Sequence, residues 1–82
     1  MMNNVVLYTR VGCHLCEDAH KLLERLGVQP QLIDIDTDPA LQEQFGHWVP
    51  VIAIDGIVRF RGLVNETLLV RELRGRGGAQ GG

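Results

Sequence analysis

Apolar positions fall into short continuous runs and helix-spaced stripes that alternate along the chain. Val5-Val6-Leu7-Tyr8 is an apolar run of the kind buried on both faces of a sheet, and it gives way to the loop Thr9-Arg10-Val11-Gly12. Ala19, Leu22, Leu23 and Leu26 then recur three and four positions apart, which predicts an amphipathic helix over 17–26 with Gly27 placed to stop it. Leu32, Ile33 and Ile35 mark a second strand over 31–36. Asp38-Pro39 has the form of an N-cap followed by proline at the first helical position and opens a short helix through Phe45. Pro50 cannot donate to a ladder, so it suits the start of the strand Val51-Ile52-Ala53-Ile54. Asp55-Gly56 separates that strand from Ile57-Val58-Arg59-Phe60 and is a strong two-residue hairpin signal. Asn65 caps a last helix through Leu73, with Leu69, Val70 and Leu73 facing inward.

The predicted order is β-α-β-α-β-β-α. It describes an α/β fold with a four-stranded mixed sheet and flanking helices, built from a crossover in the first half and a hairpin in the second. The chain has 82 residues, 45% of them hydrophobic, which suffices for one small core and one domain, placed at 1–74. The glycine-rich stretch 75–82 has few side chains to bury and is expected to be a disordered tail.

A net charge of −2 leaves no electrostatic footprint for nucleic acid. The first residues lack a basic and then apolar signal pattern, and no apolar run approaches a membrane span, so a cytoplasmic protein without a membrane partner is expected. In that compartment paired cysteines are more often catalytic or metal-binding than structural.

The only cysteines, Cys13 and Cys16, sit three positions apart where the first strand passes into the first helix. That spacing puts the thiols about one turn apart, close enough to form a disulfide, with the first at the positive end of the helix dipole. Cys13, at the open helix end, is the candidate attacking thiolate, and Cys16 the candidate resolving thiol. Arg10, three residues before Cys13, offers a positive charge for a thiolate or a substrate carboxylate, and an ordinary loop arginine is the alternative. His47 and Trp48 either border the site or pack locally. Asp34-x-Asp36-x-Asp38 begins like a calcium loop but has Pro39 at the glycine position and Phe45 at the glutamate position, so no calcium site is expected. The same two thiols provide half of a zinc site, but no second pair stands at finger-like spacing, and no metal ligands are assigned.

Tyr8, Arg10, Gly12-Cys13-x-x-Cys16, Val49-Pro50 and Asp55-Gly56 follow one another in an order and spacing that resemble the glutaredoxin-like branch of the thioredoxin fold. The Cys-His-Leu-Cys run followed by Glu17-Asp18-Ala19 is most similar to the small bacterial glutaredoxin-like proteins. The resemblance reaches Leu73 and implies a thiol:disulfide oxidoreductase with Cys13 and Cys16 as its redox disulfide. It also implies a cis Val49-Pro50 bond facing the cysteines and a substrate-binding role for Val49 and Pro50 beside Arg10. The implied partners are protein or small-molecule disulfides, with glutathione or a thioredoxin-type reductant as electron donor and no bound cofactor. Two departures bear on glutathione as a co-substrate. His14-Leu15 replaces the family's Pro-Tyr, and Arg61-Gly62-Leu63-Val64-Asn65 carries one glycine and an amide where the family has a glycine pair and a carboxylate. The first removes an aromatic neighbour of the nucleophile, and the second points to weakened glutathione binding. Two other readings of the same motif remain: a protein that binds a metal or bridges an iron-sulfur cluster through Cys13, and a redox-regulated interaction module without turnover.

Overall fold

The computed structural model describes residues 4–46 and 48–78. Its elements are β1 (Val5–Thr9), α1 (His14–Arg25), β2 (Gln31–Asp34), a 3-10 turn (Ile35–Thr37), α2 (Pro39–Phe45), β3 (Val51–Ile54), β4 (Ile57–Arg61) and α3 (Glu66–Gly78). The sheet order is β2-β1-β3-β4; β1 is parallel to β2 and antiparallel to β3, and β3 is antiparallel to β4. The expected α/β order and mixed four-stranded sheet are therefore present.

Side chains alternate across the two faces of the sheet. Val5 and Leu7 of β1 stand opposite Ile54 and Ile52 of β3, and with Phe60 they meet Ala19 and Leu23 of α1 and Leu69 of α3. On the other face Tyr8 pairs in register with Val51 and stacks on Phe45 of α2, with ring centroids 4.8 Å apart. All four residues of β3 are buried, which explains why its sequence is continuously apolar rather than alternating.

Three boundaries differ from the sequence expectation. Helix α1 starts at His14 rather than at residue 17, because Cys13 itself acts as the N-cap. Strand β2 stops at Asp34 instead of 36: the Asp34 carboxylate accepts from the Asp36 N–H at 2.9 Å, and the Thr37 hydroxyl donates to the Asp34 carbonyl at 2.7 Å, which together curl the chain into the 3-10 turn. Helix α3 passes Leu73 and continues to Gly78, so the stretch expected to be irregular from Gly75 has helical backbone as far as Gly78. Glycine costs a helix only about 1 kcal/mol per residue relative to alanine, so it does not forbid continuation. Residues 79–82 of the expected tail lie outside the described residues.

At the end of the sheet remote from the cysteines, Asp55 and Gly56 both have positive φ, 54° and 85°, as a two-residue hairpin turn requires. Among the described residues no helix is long and apolar enough to cross a membrane.

Candidate active site

The carboxyl end of β1 and the amino end of β3 lie at one pole of the sheet, because Tyr8 stands opposite Val51. The loop leaving β1 turns at Gly12, whose φ of 81° suits glycine and strains other residues, and the Cys13 N–H closes the turn on the Arg10 carbonyl at 3.2 Å. Cys13 has extended backbone, φ −93° and ψ 110°, and its carbonyl accepts the first helical bond from Glu17 at 3.1 Å. Its Sγ accepts from the Cys16 N–H at 3.1 Å. The open end of α1 thus aims a donor and its dipole at the Cys13 sulfur, an arrangement that binds an anionic acceptor more strongly than a neutral one.

The two thiols differ in access. Both are free; Cys13 is partly exposed, whereas Cys16 is only 2% exposed. Burial pushes the Cys16 thiol up, and the Cys13 sulfur beside it adds to this, while hydrogen bonding from Thr9 and the Arg10 backbone pulls the other way. One sulfur is therefore reachable, and the other is buried and harder to ionise. That asymmetry is what separate attacking and resolving roles need.

Arg10 has a different setting from that of a free substrate anchor. Its Nε and Nη2 donate to both oxygens of Asp36 at 2.9–3.2 Å, and Nη1 donates to the Gly46 carbonyl at 3.2 Å. The guanidinium thereby ties the end of β1 to the 3-10 turn and to the end of α2, holding the base of the cysteine loop. Two of its five N–H groups remain outside these bonds. Sequence reasoning missed Asp36 as the partner, since 26 residues separate the two and no local pattern links them. The three aspartates of the rejected calcium pattern have separate tasks: Asp34 and Asp38 cap the 3-10 turn and α2, and Asp36 holds Arg10. Among the described residues no group of three or more His, Cys, Asp or Glu side chains gathers to hold a metal ion.

The Arg10–Asp36 pair has a testable pH signature. Hydrogen bonding to Arg10 holds the Asp36 carboxyl below the usual carboxylate range. Its contribution to stability is therefore complete above that range and is lost as pH falls through the folded-state value. In urea titrations between about pH 5 and pH 2, Asp36→Asn is expected to flatten the acid loss of stability relative to the parent, and parallel curves would show that the pair contributes nothing.

The Val49–Pro50 peptide bond is cis, as the resemblance implies, and Pro50 is fully buried. The carbonyls of Trp48 and Pro50 both accept from the Gly62 N–H, at 2.6 and 2.8 Å. Between them, the N–H and C=O of Val49 have no hydrogen-bond partner among the described residues. Trp48 is half-exposed and lies outside the core, and His47 lies outside the described residues. Arg59 of β4 pairs with Glu72 of α3, its Nε 3.3 Å from the carboxylate. A shallow pocket missed from the sequence opens between α1 and residues 62–64, lined by Leu15, Asp18, Ala19, Leu22, Leu63 and Val64 along with Gly62. The only signal for it was Leu15, an apolar residue between the two cysteines.

A β-α-β unit followed by a β-hairpin and helix, with Cys-x-x-Cys at the first helix and a cis proline entering the third strand, defines a protein of the thioredoxin fold. Within that class, the family model for the Glutaredoxin-like domain (DUF836) matches residues 4–74, and the chain belongs to this family. An uncharacterized Mycobacterium tuberculosis protein, Rv0508, is 36% identical over 61 residues; the match spans 63% of this chain and 63% of that protein's length. Among solved structures, glutaredoxin from Brucella melitensis is 32% identical with a TM-score of 0.69, covering 93% of this chain and 87% of that one. Protein Ne2328 from Nitrosomonas europaea has a TM-score of 0.78 at 24% identity, covering 89% of this chain and 93% of that one, a likeness of fold.

Proposed function

We propose that this protein is a thiol:disulfide oxidoreductase that cycles between the Cys13–Cys16 dithiol and disulfide. The reading is carried by one observation: a partly exposed Cys13 sulfur at the open end of α1, with a buried Cys16 one turn beneath it. In the reductive direction the Cys13 thiolate attacks one sulfur of a substrate disulfide. The substrate S–S bond breaks, its other sulfur leaves as a thiolate and takes a proton, and a mixed disulfide forms at Cys13. Cys16 then loses its proton and attacks the Cys13 sulfur, releasing the second substrate thiol and leaving the protein disulfide. Two protein thiols are oxidised and one substrate disulfide is reduced; an external dithiol or two monothiols restore the dithiol form. The free backbone edge at Val49 supports in-line docking of an extended substrate by strand-like pairing. Arg10 contributes charge near Cys13 while fixing the loop. The cycle suits the cytoplasm, where thiol pools supply reductant.

Glutathione is a weak co-substrate in this reading. Asn65 stands where the family carries a carboxylate, and its Oδ1 accepts from the Leu68 N–H at 2.9 Å, so the side chain is engaged as a helix cap. The absent charge-assisted bond is worth about 1.5–3 kcal/mol, or about one to two decades in affinity. The test is to mix the reduced protein with a small disulfide and follow intact mass and free thiols. Loss of both thiols together with two hydrogens is expected, regenerated more slowly by glutathione than by a dithiol. Retention of both thiols would overturn the oxidoreductase reading, and regeneration by glutathione at dithiol rates would overturn the weak-ligand reading.

A further inference from the structure

Four of the seven large hydrophobic side chains exposed among the described residues lie on the cysteine loop or on the segments linked to it: Val11 (84%), Leu15 (47%), Trp48 (52%) and Leu63 (78%). Val11 precedes the cysteine by two residues and Leu15 follows it by two. The Gly62 N–H ties the Trp48 backbone to the loop that carries Leu63, and Leu15 and Leu63 line one pocket. Apolar side chains gathered at a reactive centre mark a surface that meets another molecule. The pocket between them has a volume of about 190 Å³, below the ~300–1,000 Å³ typical of small-molecule sites and suited to a single large side chain. Its walls are Leu15, Ala19, Leu22, Leu63 and Val64, and Asp18 is the only charged side chain that lines it. An anionic occupant is therefore disfavoured. The pocket begins within about one helical turn, ~5.4 Å along the axis, of the residue that caps α1 with its reactive sulfur.

We infer that this pocket reads the residue next to the substrate's half-cystine, and that the preferred substrate is an extended protein segment with a large neutral apolar residue, such as leucine, methionine or phenylalanine, beside its disulfide-bonded cysteine. The inference rests on the oxidoreductase reading above and adds the substrate class to it. With the substrate's sulfur at Cys13 and its backbone along Val49, the neighbouring side chain enters between α1 and the 62–64 loop. The bond changes are those already described: the substrate disulfide breaks, one of its sulfurs bonds to Cys13, and the other departs as a thiolate that takes a proton. The pocket contributes by holding the segment in place during the attack.

The test uses blocked peptides with one cysteine held as a mixed disulfide with thionitrobenzoate, identical except for leucine, serine or glutamate beside the cysteine. Release of the coloured thiol by the reduced full-length protein gives the second-order rate constant. Thionitrobenzoate is the better leaving group, so attack falls on the peptide sulfur. The leucine peptide is expected to react about tenfold faster than the serine peptide, equivalent to about 1.4 kcal/mol, with the glutamate peptide slowest. Leu63→Ser alters a side chain that is largely in solvent and is expected to bring the leucine-to-serine ratio close to one. Equal rates for all three peptides with the parent protein would overturn the pocket assignment and leave disulfide exchange standing, and this comparison does not depend on any variant. An unchanged ratio in Leu63→Ser would overturn the assignment in the same way. No reaction with any peptide would overturn the oxidoreductase reading, and the substrate class would fall with it.

Discussion

Cys16→Ser is expected to stop the cycle at the mixed disulfide, leaving the substrate covalently attached to Cys13. Resolution by Cys16 is intramolecular, and well-oriented intramolecular reactions reach effective molarities of ~10⁵ M or more. An external thiol at millimolar concentration replaces little of that advantage, so release is expected to slow by at least about a thousandfold. Cys13→Ser leaves only the buried thiol, 2% exposed, and is expected to lose exchange to the uncatalysed background. Intact-mass analysis after exposure to a peptide disulfide distinguishes the two variants. An adduct on Cys13→Ser would reverse the roles, and none on Cys16→Ser would overturn attack by Cys13. In the parent protein, burial pushes the Cys16 thiol up, so the release step is expected to accelerate as pH rises through and beyond the ordinary thiol range.

The second large effect is structural and acts through α1. Leu23 is fully buried among Val5, Leu7, Ile52, Ile54 and Leu69, on the helix whose first turn carries both sulfurs. Leu23→Ala removes three side-chain carbons and leaves a cavity that neighbouring strands cannot fill, at an expected cost of about 2–5 kcal/mol. For a domain of this size each kcal/mol moves Tm by about 4–8 °C, so a fall of about eight degrees or more is expected. Leu63→Ala, at a position 78% exposed, is the matched control and is expected to stay within about 0.5 kcal/mol. Urea unfolding of both variants provides the comparison, and a loss under about 1 kcal/mol for Leu23→Ala would show that α1 is not held by this contact.

Much of the fold was legible because its signals are local. Asp55-Gly56 needed two positive φ angles and announced them by residue type, and Asp38-Pro39 and Asn65 announced two helix starts that their side chains cap in the structure. Cys13 and Cys16 could be assigned to a helix start because strand and helix patterns meet there, but the start itself was placed too late. Cysteine is not among the usual capping residues, and its sulfur takes that role here only because of where the loop delivers it. The apolar pattern runs on through Ile35 and predicts a longer β2, whereas the hydrogen bonds of Asp34 and Thr37 end the strand before it. What stayed illegible depends on contacts between distant segments. Nothing near Arg10 names Asp36 or Gly46, and nothing near Leu15 names Leu63.

The sulfur that is proposed to attack substrate is also the atom that closes the first turn of α1. Any covalent bond made at Cys13 turns a strong acceptor into a weak one and loosens the hold on the Cys16 N–H. That amide belongs to Cys16, the residue proposed to act next. The cap is therefore a latch that bond formation at Cys13 itself loosens, at the start of the helix that carries the second thiol.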